Sequence, residues 1–371
     1  MHLKRLTAIN YKSINQLDVE FDIKINCFVG NNGQGKTNLL DAIYYLSMCK
    51  SSLSSTDSQV VRHGQDFFVL QGFYSRQGVD ENIYCGIKQG EGKVFKRNGK
   101  AYERLADHIG FLPVVMVSPS DNELVEGSGE ERRKYMNGVI SQIDRVYLDE
   151  VMRYNRLLTQ RNSLLKSYSR TAFSYDLIEA IDIQLAEYAS VIHSKRKAFV
   201  EQLIQILQEY YHKVSGGQEK VSLSYKSHLN DTTANKLFKE NIEKDRLLQF
   251  TSVGIHRDDL TLLIDGYPIR NEGSQGQQKT YLIALKLAQF DFIARVAGIK
   301  PLLLLDDIFD KLDTGRVHRL VDMVANDGFG QIFITDTNKY RLEEVLAKVT
   351  SGYRFFRVDN SEFELVESRL L

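Results

Sequence analysis

The sequence predicts an α/β protein in which a lobe built on a mixed sheet is joined by a second, mainly helical lobe. Three observations indicate this class. Apolar and polar residues alternate in the first 30 positions, as in half-buried strands. A glycine-rich loop at 30–37 separates an apolar strand from a helical run. From Glu130 to Tyr211 there is no proline, and apolar residues recur at steps of three and four, as on helices.

Periodicity places the remaining elements in chain order. The predicted elements are strands at Phe67–Tyr74, Asn82–Lys88, Val94–Arg97, Leu112–Val117, Val221–Tyr225 and Asp259–Ile264, and a helix near Gln277–Arg295. In the helical block, Lys195 and Gln202 interrupt the heptad, which favours a compact lobe over an extended coiled coil. We expect lobe I to comprise 1–120 and 290–371, and lobe II to comprise 121–289.

Composition and charge exclude several classes of protein. The 371 residues correspond to about two domains at roughly 150 residues each. Lys and Arg number 48, as do Asp and Glu, so an anionic partner must be held by a local basic patch. Every apolar run is shorter than the roughly 18 residues of a membrane span, and no signal-peptide pattern follows Lys4, Arg5 and Lys12. We therefore expect no membrane segment and a cytoplasmic location.

The three cysteines, Cys27, Cys49 and Cys85, are odd in number and lack C-x-x-C spacing. This pattern argues against a disulfide framework and against a zinc site. We expect buried thiols in a reducing compartment.

Residues 30–37 read GNNGQGKT, which matches the phosphate-binding pattern G-x-x-x-x-G-K-[ST] between a strand and a helix. The glycines let backbone N–H groups surround phosphate oxygens at a helix N-terminus. Lys36 is expected to neutralise the β- and γ-phosphates, and Thr37 to ligate magnesium. The predicted nucleotide-binding residues of this segment are Gly30, Asn31, Asn32, Gly33, Gln34, Gly35, Lys36, Thr37 and Asn38.

Two adjacent aspartates follow the apolar run Leu302–Leu305. Asp306 is the expected second magnesium ligand, and Asp307 is placed to orient or deprotonate the attacking water. Aspartates after a strand can instead cap a loop, but the phosphate-binding loop favours the functional interpretation.

A third motif, GSQGQQK at 273–279, opens a predicted helix with Ser274 as its cap. The N–H groups and positive dipole of such a helix start attract anions. Alone the signal is weak, because any Ser-Gly helix start offers the same groups.

The order of these motifs, with Asp310-Lys311-Leu312-Asp313 after the paired aspartates, resembles an ABC-type ATPase head of the SMC kind. More specifically, the chain resembles the RecF family, which it matches end to end. The similar stretches include Glu131-Arg132-Arg133-Lys134, Tyr154-Asn155-Arg156-Leu157-Leu158, Gln160-Arg161-Asn162 and Gly254-Ile255-His256-Arg257-Asp258-Asp259.

The resemblance implies an ATP-dependent DNA-binding protein of bacterial recombinational gap repair that dimerises around two ATP molecules. Ser274, Gly276 and Gln277 would then contact the γ-phosphate of the partner's ATP, and Asp313 would belong to the D-loop at the interface. The expected partners are DNA, a second copy of the chain, RecR and RecO.

Two segments depart from the common ABC pattern. Thr335-Asp336-Thr337 stands where many ABC ATPases have a switch histidine, and Ser118-Pro119-Ser120-Asp121 stands where a Q-loop glutamine is expected. Both departures predict slow hydrolysis, as in a switch.

DNA contact is less visible in the sequence. The helical block carries a basic surplus with interspersed tyrosines: Arg145, Arg153, Arg156, Arg161, Lys166 and Arg170, with Tyr147, Tyr154 and Tyr168. Such residues are typical of a solvated helix face, and they also suit a surface that binds phosphates.

Two other functions share these motifs. The ATPase subunit of a membrane transporter should carry the switch histidine and need a membrane partner. An SMC-like chromosome-organising ATPase should carry a much longer coiled coil than the block from Glu130 to Tyr211.

Overall fold

The computed structural model describes residues 1–167, 175–217, 219–309, 312–326, 328–348 and 352–369. The chain forms two compact units. The first comprises Met1–Asp121, Tyr210–Gln218 and Ser274–Leu371, and the second comprises Asn122–Glu209 and Glu219–Gly273. The expected division differs at 210–217 and 274–289, both of which it places in lobe II. In the structure both segments belong to the first unit, and the helix of the second segment packs on the strand Val114–Val117.

The elements are numbered in chain order. The strands are β1 His2–Tyr11, β2 Ile14–Glu20, β3 Ile25–Val29, β4 Phe67–Arg76, β5 Val79–Lys88, β6 Val94–Arg97, β7 Lys100–Ala101, β8 Val114–Val117, β9 Val221–Lys226, β10 Asp259–Ile264, β11 Tyr267–Pro268, β12 Leu302–Asp306, β13 Ile332–Asp336, β14 Tyr353–Asp359 and β15 Glu362–Arg369. The helices are α1 Lys36–Met48, α2 Glu123–Glu126, α3 Gly129–Ile140, α4 Arg145–Ser167, α5 Tyr175–Ser215, α6 Ala234–Leu248, α7 Ile269–Glu272, α8 Gln275–Ala297, α9 Thr314–Asn326 and α10 Lys339–Lys348.

An antiparallel sheet in the first unit has the strand order β2-β1-β4-β5-β6-β7. Burial alternates along β4 and β5, as the sequence predicts for strands with one face on the core. β6 and β7 form a hairpin, and Asn98 and Gly99 both take positive φ in its turn.

A second sheet in the same unit has the order β15-β14-β3-β13-β12-β8. Five strands run parallel, and β15 adds an antiparallel edge. Every residue of β3, β8, β12 and β13 is buried, which explains why their sequences are mainly apolar. Parallel strands end at one edge of a sheet, so this topology brings residues after β3, β12 and β13 together.

One hydrophobic core joins α1 to both sheets of the first unit. Tyr45 of α1 meets Tyr11 and Phe68 edge to face, with ring centroids 6.1 and 5.5 Å away. The three cysteines are buried and free, as predicted.

The second unit combines helices with the antiparallel sheet β11-β10-β9. The buried side chain of Arg161 donates to Asp182 at 2.5 Å and to Asp245 at 2.6 Å. Tyr147 and Tyr154 are also fully buried. The prediction that these three residues belong to a basic, tyrosine-lined surface was therefore wrong, since their side chains hold the unit together.

The exposed basic residues of α4 are Arg145, Arg153, Arg156 and Lys166. The predicted positions Tyr168 and Arg170 lie outside the described residues.

Candidate functional site

The glycine-rich loop lies between β3 and α1, as predicted. Gly33 and Gly35 take φ values of +81° and +96°, which residues with a Cβ rarely adopt. Gly35 is the N-cap of α1, and no side chain caps this helix. The first N–H groups of α1 and its positive dipole are therefore available to an anion.

Lys36 is buried beneath the loop. Its Nζ donates to the carbonyl oxygens of Gly30 at 2.6 Å and Asn31 at 3.0 Å. A lysine ammonium carries three donors, so one proton remains for a phosphate oxygen.

The side chains of Gln34 and Asn38 point to protein partners. Gln34 Oε1 accepts a hydrogen bond from the Asn360 N–H, and Asn38 Nδ2 donates to Ser13 Oγ at 2.7 Å. Asn31 and Asn32 are exposed. The interpretation of Gln34 and Asn38 as nucleotide contacts therefore rests on their backbone groups.

Thr37 and Asp306 meet where β12 ends. Thr37 Oγ1 lies 2.9 Å from Asp306 Oδ2 and donates to this carboxylate. Burial raises the pKa of the Asp306 carboxyl, against the opposing effect of hydrogen bonds from Thr335 and Thr37. A hydroxyl beside a carboxylate is the donor set that magnesium takes in nucleotide sites, so these two residues fit the ion.

Asp307 follows in a strained conformation with a φ of +45°. Its N–H donates to Thr335 Oγ1 at 3.1 Å. Thr335 is fully buried at the end of β13 and also donates to Asp306. Sequence reasoning identified this threonine only as a departure from a histidine pattern and missed its contacts.

Ser274 caps α8, as predicted. Its Oγ accepts from the Gln277 N–H at 3.3 Å, and Gln277 Oε1 accepts from the Ser274 N–H at 2.8 Å. A Cβ on Gly276 would lie 2.9 Å from Arg316 Nη1. A residue with a Cβ at this position would have to displace the end of the flexible Arg316 side chain.

Asp313 lies beside the same arginine. Its Oδ1 accepts from the Arg316 N–H at 2.9 Å, and that hydrogen bond lowers the pKa of the Asp313 carboxyl. Arg316 thus connects the 274–277 motif with Asp313, a connection that residue spacing does not reveal. Asp310 and Lys311 lie outside the described residues.

The Q-loop position holds a short turn after β8. The Ser118 N–H donates to Asp121 Oδ2 at 2.8 Å, and Lys286 of α8 pairs with Asp121 at 2.6 Å. The carboxylate of Asp121 therefore fixes this turn to α8.

A cavity of about 500 Å³ opens beside Lys12, the residue that follows β1. Its lining residues are Lys12, Ser58, Gln59, Val61, Arg62, His63, Gly64, Gln65 and Gln89. Lys12 pairs with the buried Asp41 at 2.7 Å and precedes Ser13, the partner of Asn38. Arg62 Nη1 is buried without a hydrogen-bond partner among the described residues. Sequence reasoning missed this cavity, because no motif marks its lining.

The parallel sheet, the loop ahead of α1 and the carboxylate at the end of β12 together define the class: the first unit is an ABC-type ATPase head. A family model described as an AAA ATPase domain matches residues 1–286. No helix among the described residues is both long enough and apolar enough to cross a membrane.

Comparison with known proteins gives the family. The DNA replication and repair protein RecF of Bacteroides thetaiotaomicron is 52% identical over 360 residues, which cover 97% of each chain. The solved structure of the recombination mediator protein RecF-ATP in the RecFOR pathway aligns with a TM-score of 0.88 at 30% identity, covering 99% of this chain and 98% of that one. The chain therefore belongs to the RecF family.

The resemblance to SMC heads is confirmed at the level of the fold. The Smc head domain of Pyrococcus furiosus aligns with a TM-score of 0.59 at 15% identity, covering 100% of this chain and 96% of that one.

Proposed function

We propose that this protein is an ATP-dependent DNA-binding protein of recombinational gap repair and replication maintenance. The observation that carries the proposal is the contact between Thr37 and Asp306 at 2.9 Å, in a chain that is half identical to a DNA replication and repair protein. A loop threonine beside a buried carboxylate is the pair with which P-loop ATPases hold magnesium for phosphoryl transfer.

ATP occupies the loop and the cavity beside Lys12 in this proposal. The N–H groups at the start of α1 and the third proton of Lys36 bind the phosphates. The cavity that Lys12 and Arg62 line receives the nucleoside, since Ser13 and Asn38 connect it to the loop.

Thr37 and Asp306 hold magnesium, whose charge neutralises the phosphates when it is bound. Asp307 takes the proton of the attacking water or orients that water. Slow hydrolysis is expected, because Thr335, Asp336 and Thr337 provide no histidine for the γ-phosphate.

Dimerisation closes the site. Ser274, Gly276 and Gln277 of one subunit contact the γ-phosphate bound by its partner, and Asp313 lies in the same interface. Contacts that form only with bound triphosphate shift the monomer–dimer equilibrium towards the dimer, and hydrolysis releases it.

The dimer clamps DNA, with a preference for double-stranded DNA or gap junctions. The exposed residues Arg153, Arg156 and Lys166 on α4 are candidate phosphate contacts. The solved relative is described as a recombination mediator of the RecFOR pathway. We therefore include recombinase loading on single-stranded DNA, with RecR and RecO as partners, in the cytoplasm.

Fluorescence anisotropy of labelled DNA tests the proposal. We expect tight, salt-sensitive binding by the wild type with ATP, and weak binding with ADP or without nucleotide. Lys36→Ala and Ser274→Arg should lose the ATP-dependent binding. Lys100→Ala at an exposed position and Ser274→Thr, which keeps a capping hydroxyl, are the matched controls. Absence of DNA binding under every condition would overturn the proposal.

The transporter subunit and the SMC-like organiser remain outcomes of this experiment. Family membership favours DNA repair over both, and a transporter subunit would show no salt-sensitive affinity for DNA.

A further inference from the structure

Thr335 lies directly between the two carboxylate residues of the proposed site. Its Oγ1 donates to Asp306 Oδ1 at 2.7 Å and accepts from the Asp307 N–H at 3.1 Å. A hydroxyl has one proton to donate. The proton of Thr335 is therefore committed to Asp306. The Asp307 N–H is shared between a lone pair of this hydroxyl and the Thr335 backbone carbonyl, which lies 3.3 Å away.

Strand register explains why this residue can reach both aspartates. β12 and β13 pair in parallel, with Asp306 opposite Thr335. The side chain of Thr335 is fully buried, and it follows the apolar residues Ile332, Phe333 and Ile334 in β13. A hydroxyl at such a position is costly unless it is hydrogen-bonded, and both of its bonds here go to the paired aspartates.

We infer that Thr335 is a positioning residue for ATP hydrolysis. It orients the Asp306 carboxylate towards the magnesium position next to Thr37, and it holds Asp307 in its positive-φ conformation. The inference rests on the proposed function. Groups that orient a metal ligand from behind typically contribute 10- to 100-fold to metal affinity or activity.

Two substitutions distinguish the effect of the Thr335 hydroxyl from the effect of its methyl group. Thr335→Val keeps the shape and removes the hydroxyl, whereas Thr335→Ser keeps the hydroxyl and removes the methyl. The probe is Mn²⁺, added to the full-length protein together with a non-hydrolysable ATP analogue. Its binding is measured from the decrease in the electron paramagnetic resonance signal of the free ion. Analogue affinity without metal and the thermal midpoint report on folding.

We expect Thr335→Val to weaken Mn²⁺ binding about 10-fold or more and to lower the hydrolysis rate, with metal-free analogue affinity within about twofold of the wild type. Thr335→Ser should bind Mn²⁺ as the wild type does. Wild-type Mn²⁺ affinity in the valine variant, or an equal loss in the serine variant, would overturn the inference. Failure of the wild type itself to bind the analogue would instead overturn the proposed function.

Discussion

Ser13 Oγ and Ser361 Oγ lie 2.6 Å apart, although the two residues are 348 positions apart in the chain. The contact connects the turn between β14 and β15 to the turn between β1 and β2, whose Ser13 also accepts from Asn38 in the first turn of α1. The turn between β14 and β15 also binds Gln34, because the Ser361 N–H donates to the Gln34 carbonyl at 2.9 Å. β14 pairs with β3 in parallel, which places the end of the hairpin beside the start of the loop.

The position of Ser361 leaves room for a side chain at one loop glycine and not at the other. A Cβ on Gly35 would overlap Ser361 Oγ, whereas a Cβ on Gly33 would meet open space. Both residues have positive φ, so alanine costs about 1–3 kcal/mol of backbone strain at either position. We therefore expect Gly35→Ala to lower the free energy of unfolding and ATP-analogue affinity more than Gly33→Ala does, as measured by urea denaturation and equilibrium binding.

A second substitution tests how much of the Gly35→Ala loss comes from the steric overlap with Ser361. Ser361 has a φ of +62°, so Ser361→Gly is compatible with the backbone. The double variant Gly35→Ala/Ser361→Gly should recover part of the loss, and the double-mutant cycle measures the coupling. Equal losses in the two alanine variants, with no coupling, would show that the hairpin does not constrain the loop.

Local patterns predicted the strands, the loop and the helix start that carry the candidate site. The sequence 30–37 specifies its own strand–loop–helix geometry, and the apolar run before Asp306 specifies a buried strand. The capping box at Ser274 follows from residues three positions apart. Each of these predictions depends on neighbours in the chain, which is why one sequence suffices for them.

Contacts between distant segments could not be predicted. Thr335 reaches Asp306 through strand pairing, and Ser361 reaches Ser13 because turns of the two sheets of the first unit meet. Arg161 carried the same charge pattern as its exposed neighbours, yet it is buried by Asp182, a residue on another helix. The direction of each side chain on α4 depends on how the helix packs, and the positions of charged residues in the sequence do not determine that packing.

Arg161 and Arg156 on α4 should respond differently to alanine. Arg161 is buried between two carboxylates, and removal of one partner from such a cluster typically costs about 3–5 kcal/mol. Arg156 is exposed, so Arg156→Ala should change the free energy of unfolding by less than about 0.5 kcal/mol. Urea denaturation of both variants measures this difference.

DNA binding by the Arg156→Ala variant tests the proposed DNA contact. Arg156→Ala should weaken ATP-dependent DNA binding and reduce its salt slope by about one. If this variant binds DNA with the wild-type slope, the exposed face of α4 is a solvated surface, and the contacts lie elsewhere.

His108 should make stability depend on pH. The residue is fully buried, its Nε2 donates to the Leu46 carbonyl at 2.8 Å, and burial lowers its pKa from 6.5 to about 4. Between these values the unfolded chain binds the additional proton, so stability is present above pH 6.5 and is lost as the pH falls towards 4. The contribution of this side chain is roughly 3 kcal/mol.

His108→Gln is the matched variant, because its amide can donate to Leu46 and accept from Tyr102 without titrating. Urea denaturation at pH 7 and pH 4.5 should show a smaller loss of stability for this variant than for the wild type. Parallel pH profiles would mean that the imidazole binds its proton equally well in the folded and the unfolded chain, so that burial does not lower the pKa of His108.

Asp307→Asn should separate ATP binding from hydrolysis. Asparagine readily adopts the positive φ of +45° that Asp307 takes, so the variant should fold and keep its contact with Thr335. An amide cannot take a proton from water, and loss of a general base typically lowers the rate by about 10²–10⁴. ATP affinity should stay within about twofold of the wild type.

The oligomeric state of Asp307→Asn then tests the clamp. Because hydrolysis releases the dimer in the proposed mechanism, the variant should accumulate as a dimer on DNA under saturating ATP, as measured by light scattering. Combining Asp307→Asn with Ser274→Arg should restore the monomer, since the added side chain occupies the position of the partner's γ-phosphate. A monomeric Asp307→Asn protein with bound ATP would count decisively against the clamp, because triphosphate binding alone would then not bring the two subunits together.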